Sequence, residues 1–167
     1  ELQRNIVKTE EFLSQIVDMF RLQAESKGLD FVFDAPDRMP TYVKTDEKRL
    51  RQVLINLLSN AIKYGGDGKT VTVSCQRLDR HVRCMVTDQG AGIPAHLQRE
   101  IFRPFHRLEN SQGTAGAGLG LSICEAYTRA MHGTLTVQSE PGRGTSFVIV
   151  LPDATPDAAA DPGTLGS

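Results

Sequence analysis

Asn56 and Asn60 lie four residues apart in the run VLINLLSNAIKYG, with Lys63 three beyond, so on a helix all three share one stripe beside the leucine face. Asn is a mediocre helix former, and two near a helix centre need a reason. A polar stripe facing water is one. A ligand is the other: amide oxygens can hold a Mg²⁺ that is itself bound to phosphates, and a lysine near a helix C-terminus reaches phosphate oxygens. A second cluster is Asp88-Gln89-Gly90-Ala91-Gly92, at a strand end. Its two glycines permit close backbone approach, and its carboxylate can accept a hydrogen bond from an exocyclic amine such as adenine N6. An ordinary turn capped by its own Asp has the same pattern.

The third cluster runs from Gly113 to Leu121, with Gly116, Gly118, Leu119 and Gly120 leading straight into a helix. Free backbone N–H groups and the helix dipole make such a place suited to phosphate, although a linker shares the composition. The G-x-G-x-G spacing is not the dinucleotide fingerprint, and Gly68-Lys69-Thr70 is not a P-loop. That motif requires glycine where this chain has Lys63, with a strand before it and a helix after it, the reverse of the order here.

The elements that must position these clusters follow from periodicity. Phe12, Ile16, Phe20 and Ala24 recur every four residues, which predicts a helix over 10–27, N-capped by Thr9 and stopped by Gly28. Leu29, Phe31 and Phe33 mark a short strand. Leu50, Val53, Leu54, Leu57, Leu58 and Ala61 predict a second helix, from Thr45 onward. Val71–Cys75 and Val82–Val86 alternate as two strands about a turn at Leu78–His81. A short helix near 95–102 is followed by a long loop and a helix from Leu119 to Met131 that Gly133 ends, and then by strands 135–139 and 146–151. The order β, α, β, α, β, β, α, β, β favours an α+β two-layer sandwich with a mixed, mostly antiparallel sheet over a doubly wound fold. From residue 153 the Pro- and Ala-rich, aromatic-free tail is expected to be disordered or a linker.

With 167 residues the chain is the size of one domain. Its 19 basic and 20 acidic residues leave a net charge of −1, with no cationic excess for nucleic acid or an anionic membrane. No apolar run approaches the roughly 18 residues that cross a bilayer. Cys75, Cys84 and Cys124 form no C-x-x-C pair, which points to a reducing, cytoplasmic setting. The start, without Met or an apolar signal core, is expected to be internal to a longer polypeptide.

Four segments, in order, resemble one family. VLINLLSNAIKYG looks like the N box, DQGAGIP the first glycine box, IFRPFHRLE the F box and GAGLGLSI the second glycine box of the catalytic ATP-binding domain of sensor histidine kinases, with GRGTSFVIVLP as the closing strand. The resemblance covers residues 1–152 and implies the ATP-binding fold shared with gyrase, heat-shock chaperones and mismatch-repair ATPases. It implies that Asn60 ligates Mg²⁺, that Asn56 contributes to phosphate or metal binding, and that Lys63 and Tyr64 face the phosphates and the ribose or adenine. Asp88 would bind the adenine amine, with Gly90 in its box and Gly92 and Thr145 helping through an ordered water. Residues 103–118 would form a lid over ATP with Phe102 and Phe105 as hinges, and Arg107 would meet the γ-phosphate. Gly116, Gly118, Leu119 and Gly120 would cradle the phosphates. Asn56, Asn60, Lys63 and Arg107 are thus the residues expected to act on the reacting group. Core packing alone is the lesser alternative for Phe102, Phe105 and Tyr64.

In ATP-hydrolysing relatives the position four before the metal-binding Asn is a Glu base; here it is Asn56, and an amide cannot take that proton. The implied activity is therefore transfer of the γ-phosphoryl group to a histidine in two-component signalling. None of His81, His96, His106 or His132 has the setting of an acceptor, which in the family lies on a separate dimerisation domain. The implied partners are that domain and a response regulator receiver. The isolated domain is expected to be monomeric, the intact kinase dimeric and cytoplasmic or the cytoplasmic part of a membrane sensor. A stand-alone serine kinase of the anti-sigma type and a degenerate binding module are the alternatives, opposed by Asn56 and by the intact boxes respectively.

Overall fold

The structure, a computed structural model, describes residues 3–34, 42–64, 69–104 and 120–153. Helix α1, Thr9–Ser26, and helix α2, Glu47–Tyr64, bury the expected stripes, Phe12, Ile16 and Phe20 on one and Val53, Leu54, Leu57 and Leu58 on the other. Each fully buried aliphatic side chain contributes about 1.5–3 kcal/mol. That outweighs the propensity cost, at most about 0.7 kcal/mol each, of holding Asn56 and Asn60 in the same helix.

Gly28 ends α1 at φ 71°, with its own N–H donating to Glu25 O at 3.0 Å and Leu29 N–H to Ala24 O at 2.9 Å. Thr9 is not the N-cap. It is the first helical residue, and Lys8 precedes it in extended conformation because strand β1, Asn5–Lys8, pairs antiparallel with β3, Tyr42–Thr45. This two-stranded sheet adds one strand, β3, to the expected order.

The main sheet contains β2 (Asp30–Asp34), β4 (Thr70–Leu78), β5 (His81–Asp88), β6 (Thr134–Glu140) and β7 (Gly144–Pro152), ordered β2-β4-β5-β7-β6. Only the β2–β4 pair is parallel, so the sheet is mixed and mostly antiparallel, as expected. The β4–β5 turn needs only Asp79 and Arg80, with Asp79 at φ 58°. Val82, Cys84, Val86 and Asp88 of β5 alternate with more exposed residues, and this buried face carries the helices.

Residues 95–102 form two 3-10 turns, Ala95–Leu97 and Glu100–Phe102, rather than one helix. Helix α3 spans Gly120–Ala130. His132, not Gly133, is the left-handed residue that ends it, at φ 63°. Gly133 serves another need: a Cβ there would lie 2.5 Å from the Val150 carbonyl and the Leu151 side chain, so its missing side chain lets the turn meet β7.

Asp153, placed in the tail by composition, is tied into the domain. Its carboxylate accepts from Arg77 at 2.8 Å and from Lys44 N–H at 3.4 Å, and its N–H donates to Arg80 O at 2.9 Å. The rest of the tail lies outside the described residues.

The three helices are oriented by a few contacts. Asp46, buried just before α2, accepts from Arg49 N–H at 3.1 Å and from Gln3 N–H at 3.2 Å, so α2 starts beside β1 and β3. At its other end Lys27 Nζ donates to Ile62 O at 3.3 Å, Asp30 N–H to Lys69 O, and Thr70 N–H to Gln89 Oε1. The C-terminal half of α2 therefore ends where β2 and β4 begin and β5 finishes. Helix α3 runs the opposite way, since Met131 Sδ, just past its end, accepts from Thr45 Oγ1.

Candidate functional site

The core-facing rows across β5, β7 and the half-buried positions of β6 are apolar until the last. Cys84 faces Ile149, which faces Leu135; Val86 faces Phe147, which faces Val137; then Asp88 faces Thr145, which faces Ser139. Asp88 thus forms one polar row at the sheet end with two hydroxyls from a hairpin distant in sequence. Asp88 is 8% exposed and Thr145 6%. Burial pushes the Asp88 carboxyl above its ordinary range, while hydrogen bonds from the Gly90 and Thr145 backbone N–H groups pull the other way. The Gly90 bond is 2.8 Å long. A carboxylate has about four lone-pair sites, so two N–H contacts leave acceptor capacity for an incoming amine.

The glycine segment after β5 is pressed against the β6–β7 turn. Gly92 has φ +78°, and a Cβ on it would lie 2.1 Å from Glu140 O. Gly144, at φ +93°, would meet Asp88 O at the same distance. Gly142 N–H donates to Ala91 O at 2.7 Å, and Gln98 Nε2 bridges Ile93 O and Ser139 O at 3.0 and 2.9 Å. Sequence reasoning missed Ser139, Gln98 and Gly144 as parts of this site. The G-x-G of Pro141–Gly144 was a signal for the last, whereas Ser139 and Gln98 carry none before the strands are paired.

From the helix layer, Asn56 Nδ2 donates to Gly120 O at 3.3 Å and its Oδ1 accepts from Gln52 Nε2 at 2.8 Å. Burial pushes the neighbouring Cys124 thiol up to about 12, with a hydrogen bond from Asn56 acting the other way. Asn56 thus joins α2 to the first turn of α3, and the N-terminal end of α3 meets the asparagine stripe. Asn60 is half-buried, and among the described residues its amide makes no hydrogen bond. Lys63 is exposed one turn further on. Among the described residues, a Cβ on Gly120 would meet nothing within 4 Å.

Phe102 packs edge-on to Phe147, with centroids 6.3 Å apart, and is half-buried against the core. The Tyr64 side chain, Phe105, His106, Arg107, Gly113, Gly116, Gly118 and Leu119 lie outside the described residues. His96 is exposed on the first 3-10 turn, and no group of three or more His, Cys, Asp or Glu among the described residues is arranged to hold a metal ion.

Comparison with known proteins agrees with this geometry. Residues 45–155 match the family model described as histidine kinase-, DNA gyrase B- and HSP90-like ATPase. The adaptive-response sensory kinase SasA of Crocosphaera subtropica is 39% identical over 155 residues, which cover 90% of this chain and 40% of that protein. The chain thus spans less than half the length of that curated relative. Full-length ShkA, solved in complex with AMPPNP, superposes with a TM-score of 0.84 at 33% identity, covering 95% of this chain and 33% of ShkA. The catalytic domain of histidine kinase ThkA gives 0.80 at 28%, covering 90% of this chain and 96% of that domain; ThkA has also been solved with the response regulator TrrA. A glycine box clamped at the sheet end, an asparagine helix against the start of α3 and these matches agree: the chain belongs to the histidine kinase-, DNA gyrase B- and HSP90-like ATPase family, as the catalytic ATP-binding domain of a sensor histidine kinase.

Proposed function

We propose that this domain binds Mg-ATP between the polar row and the N-terminal end of α3, and donates the γ-phosphoryl group to a histidine on a separate dimerisation domain. A response regulator would be the next acceptor. The observation that carries the reading is Asp88, a buried carboxylate with unused acceptor sites at the glycine box. An adenine amine supplies the missing donor. Thr145 and Gly92 flank it, and Lys63 and the Gly120 end of α3 supply cationic and backbone N–H character for the phosphates.

Asn60 fits a role toward Mg²⁺, since its amide oxygen is a hard ligand without a competing partner among the described residues. The bound ion would supply charge neutralisation on the phosphates. Asn56 cannot act as a base, and its amide is already engaged with Gly120 and Gln52. Water activation is therefore weak and ATP is held for an in-line acceptor, whose positioning accounts for the transfer. AMPPNP in the ShkA structure and the ThkA–TrrA complex support the nucleotide and the downstream partner. No described helix is long and apolar enough to cross a membrane. The roles of Tyr64, Arg107, Gly116, Gly118 and Leu119 belong to the same proposal.

The test is calorimetric titration of Mg-ATP into the chain, followed by addition of a histidine-bearing dimerisation domain with ATP labelled at the γ position. Saturable binding without sustained heat, and label on the histidine domain only when both are present, is the expected result. Sustained heat from the chain alone would mean hydrolysis, and absence of binding would overturn the reading.

A further inference from the structure

The Ser139 hydroxyl makes three contacts with three different residues. It accepts from Ile93 N–H at 2.8 Å, donates to Gly144 O at 2.8 Å, and lies 2.9 Å from Thr145 Oγ1. A hydroxyl has one proton and two lone pairs. With Ile93 N–H on one lone pair and the proton on Gly144 O, the second lone pair accepts the Thr145 proton, and all three contacts are satisfied at once. Thr145 then presents only lone pairs to its surroundings. Gln98 reinforces the arrangement by bonding the carbonyls of Ile93 and Ser139.

We propose that Ser139 is a positioning residue for the adenine ring. It fixes the rotamer and the proton direction of Thr145 before nucleotide arrives. The inference rests on the nucleotide reading above. If Asp88 takes the N6 amine, the neighbouring ring N1 falls beside Thr145, the residue paired with Asp88. N1 is an acceptor, and an acceptor-only Thr145 can be joined to it by one water donating to both. Without Ser139 the Thr145 hydroxyl turns freely.

The experiment compares ATP with 1-deaza-ATP, which keeps the amine but lacks N1, by calorimetry on the whole chain. Wild type is expected to bind ATP more tightly than the deaza analogue. Ser139→Ala should weaken ATP roughly five- to tenfold and leave the deaza analogue within about twofold. Against a Thr145→Val background it should cost no further affinity, since the effect passes through that hydroxyl. Ser139→Thr, which keeps the hydroxyl, should restore ATP binding. If Ser139→Ala does not fold, Ser139→Cys, with a weaker donor and acceptor of similar shape, should show the same pattern at smaller size. Equal weakening of both nucleotides, additive loss with Thr145→Val, or no change would overturn the proposal. Equal binding of ATP and the deaza analogue by wild type would overturn it while leaving the nucleotide reading intact, whereas no ATP binding by wild type would remove both.

Discussion

Asp88→Asn offers the sharpest test of how the site reads a base. The wild-type carboxylate is buried, holds the Gly90 and Thr145 N–H groups, and has acceptor sites left for an amine. Asparagine keeps one acceptor oxygen and replaces the other with a donor. That oxygen cannot serve two backbone N–H groups and the amine together. Hydrogen bonds to charged groups contribute about 1.5–3 kcal/mol, so ATP affinity should fall roughly 10- to 150-fold. GTP carries a carbonyl where ATP carries the amine, so the new donor leaves its weak binding unchanged or improves it. Calorimetry of both nucleotides at neutral pH, with thermal melts to confirm folding, reads the difference directly. The same variant tests the raised pKa. Wild-type ATP affinity should begin to fall on the acid side at a higher pH than an ordinary carboxylate allows, and the variant should lack that step. For the apo protein the sign is opposite: with the folded value above the unfolded one, Asp88's contribution to stability is present at low pH and lost as pH rises through the folded value. Equal losses for ATP and GTP, or unchanged ATP affinity, would refute the assignment of Asp88 to the amine.

The two asparagines should separate stability from transfer. Asn60→Ala should change apo stability by less than about 0.5 kcal/mol yet abolish phosphoryl transfer to a supplied dimerisation domain, whereas Asn56→Ala, which loses the Gly120 bond, should cost about 1 kcal/mol in urea denaturation. Gly142→Ala at φ +82°, with open space around its Cβ, should cost about 1–2 kcal/mol from backbone strain alone; Gly92→Ala should cost more than this and eliminate ATP binding, because it also drives into Glu140 O. Asp46→Ala removes the cap of α2 and should destabilise by about 0.5–2 kcal/mol at neutral pH. Burial raises the Asp46 carboxyl, but the Arg49 and Gln3 hydrogen bonds outweigh it and leave the pKa lowered, so this contribution is present above the ordinary carboxyl range and disappears as pH falls through the folded value. Denaturation midpoints of wild type and variant should therefore differ at pH 7 and converge in acid.

Much of this protein is legible in contiguous runs of its chain. The helical repeats at Phe12–Ala24 and Leu50–Ala61, the alternation of Val71–Cys75 and Val82–Val86, and the stop at Gly28 are local signals, and the structure follows them. The asparagine helix and the Asp88 glycine box are legible for the same reason: each is one unbroken segment whose residue types state what it can bind. What failed at that level depends on neighbours that are distant in sequence. Thr9 loses the cap because β1 pairing holds Lys8 extended, and His132 takes the left-handed turn because Gly133 must sit against β7. Asp153 joins the domain because Arg77, Lys44 and Arg80 meet it there. The row Asp88–Thr145–Ser139 exists only once strand register is set, and register is a long-range property: a slip of one residue would turn each of these side chains to the other face. Residue types and spacing along the chain singled out the segments that we propose bind phosphate and adenine. The pairing of β5, β7 and β6 decided which hydroxyls stand beside the carboxylate, because hydrogen bonds between strands align residues that chain order leaves more than fifty positions apart.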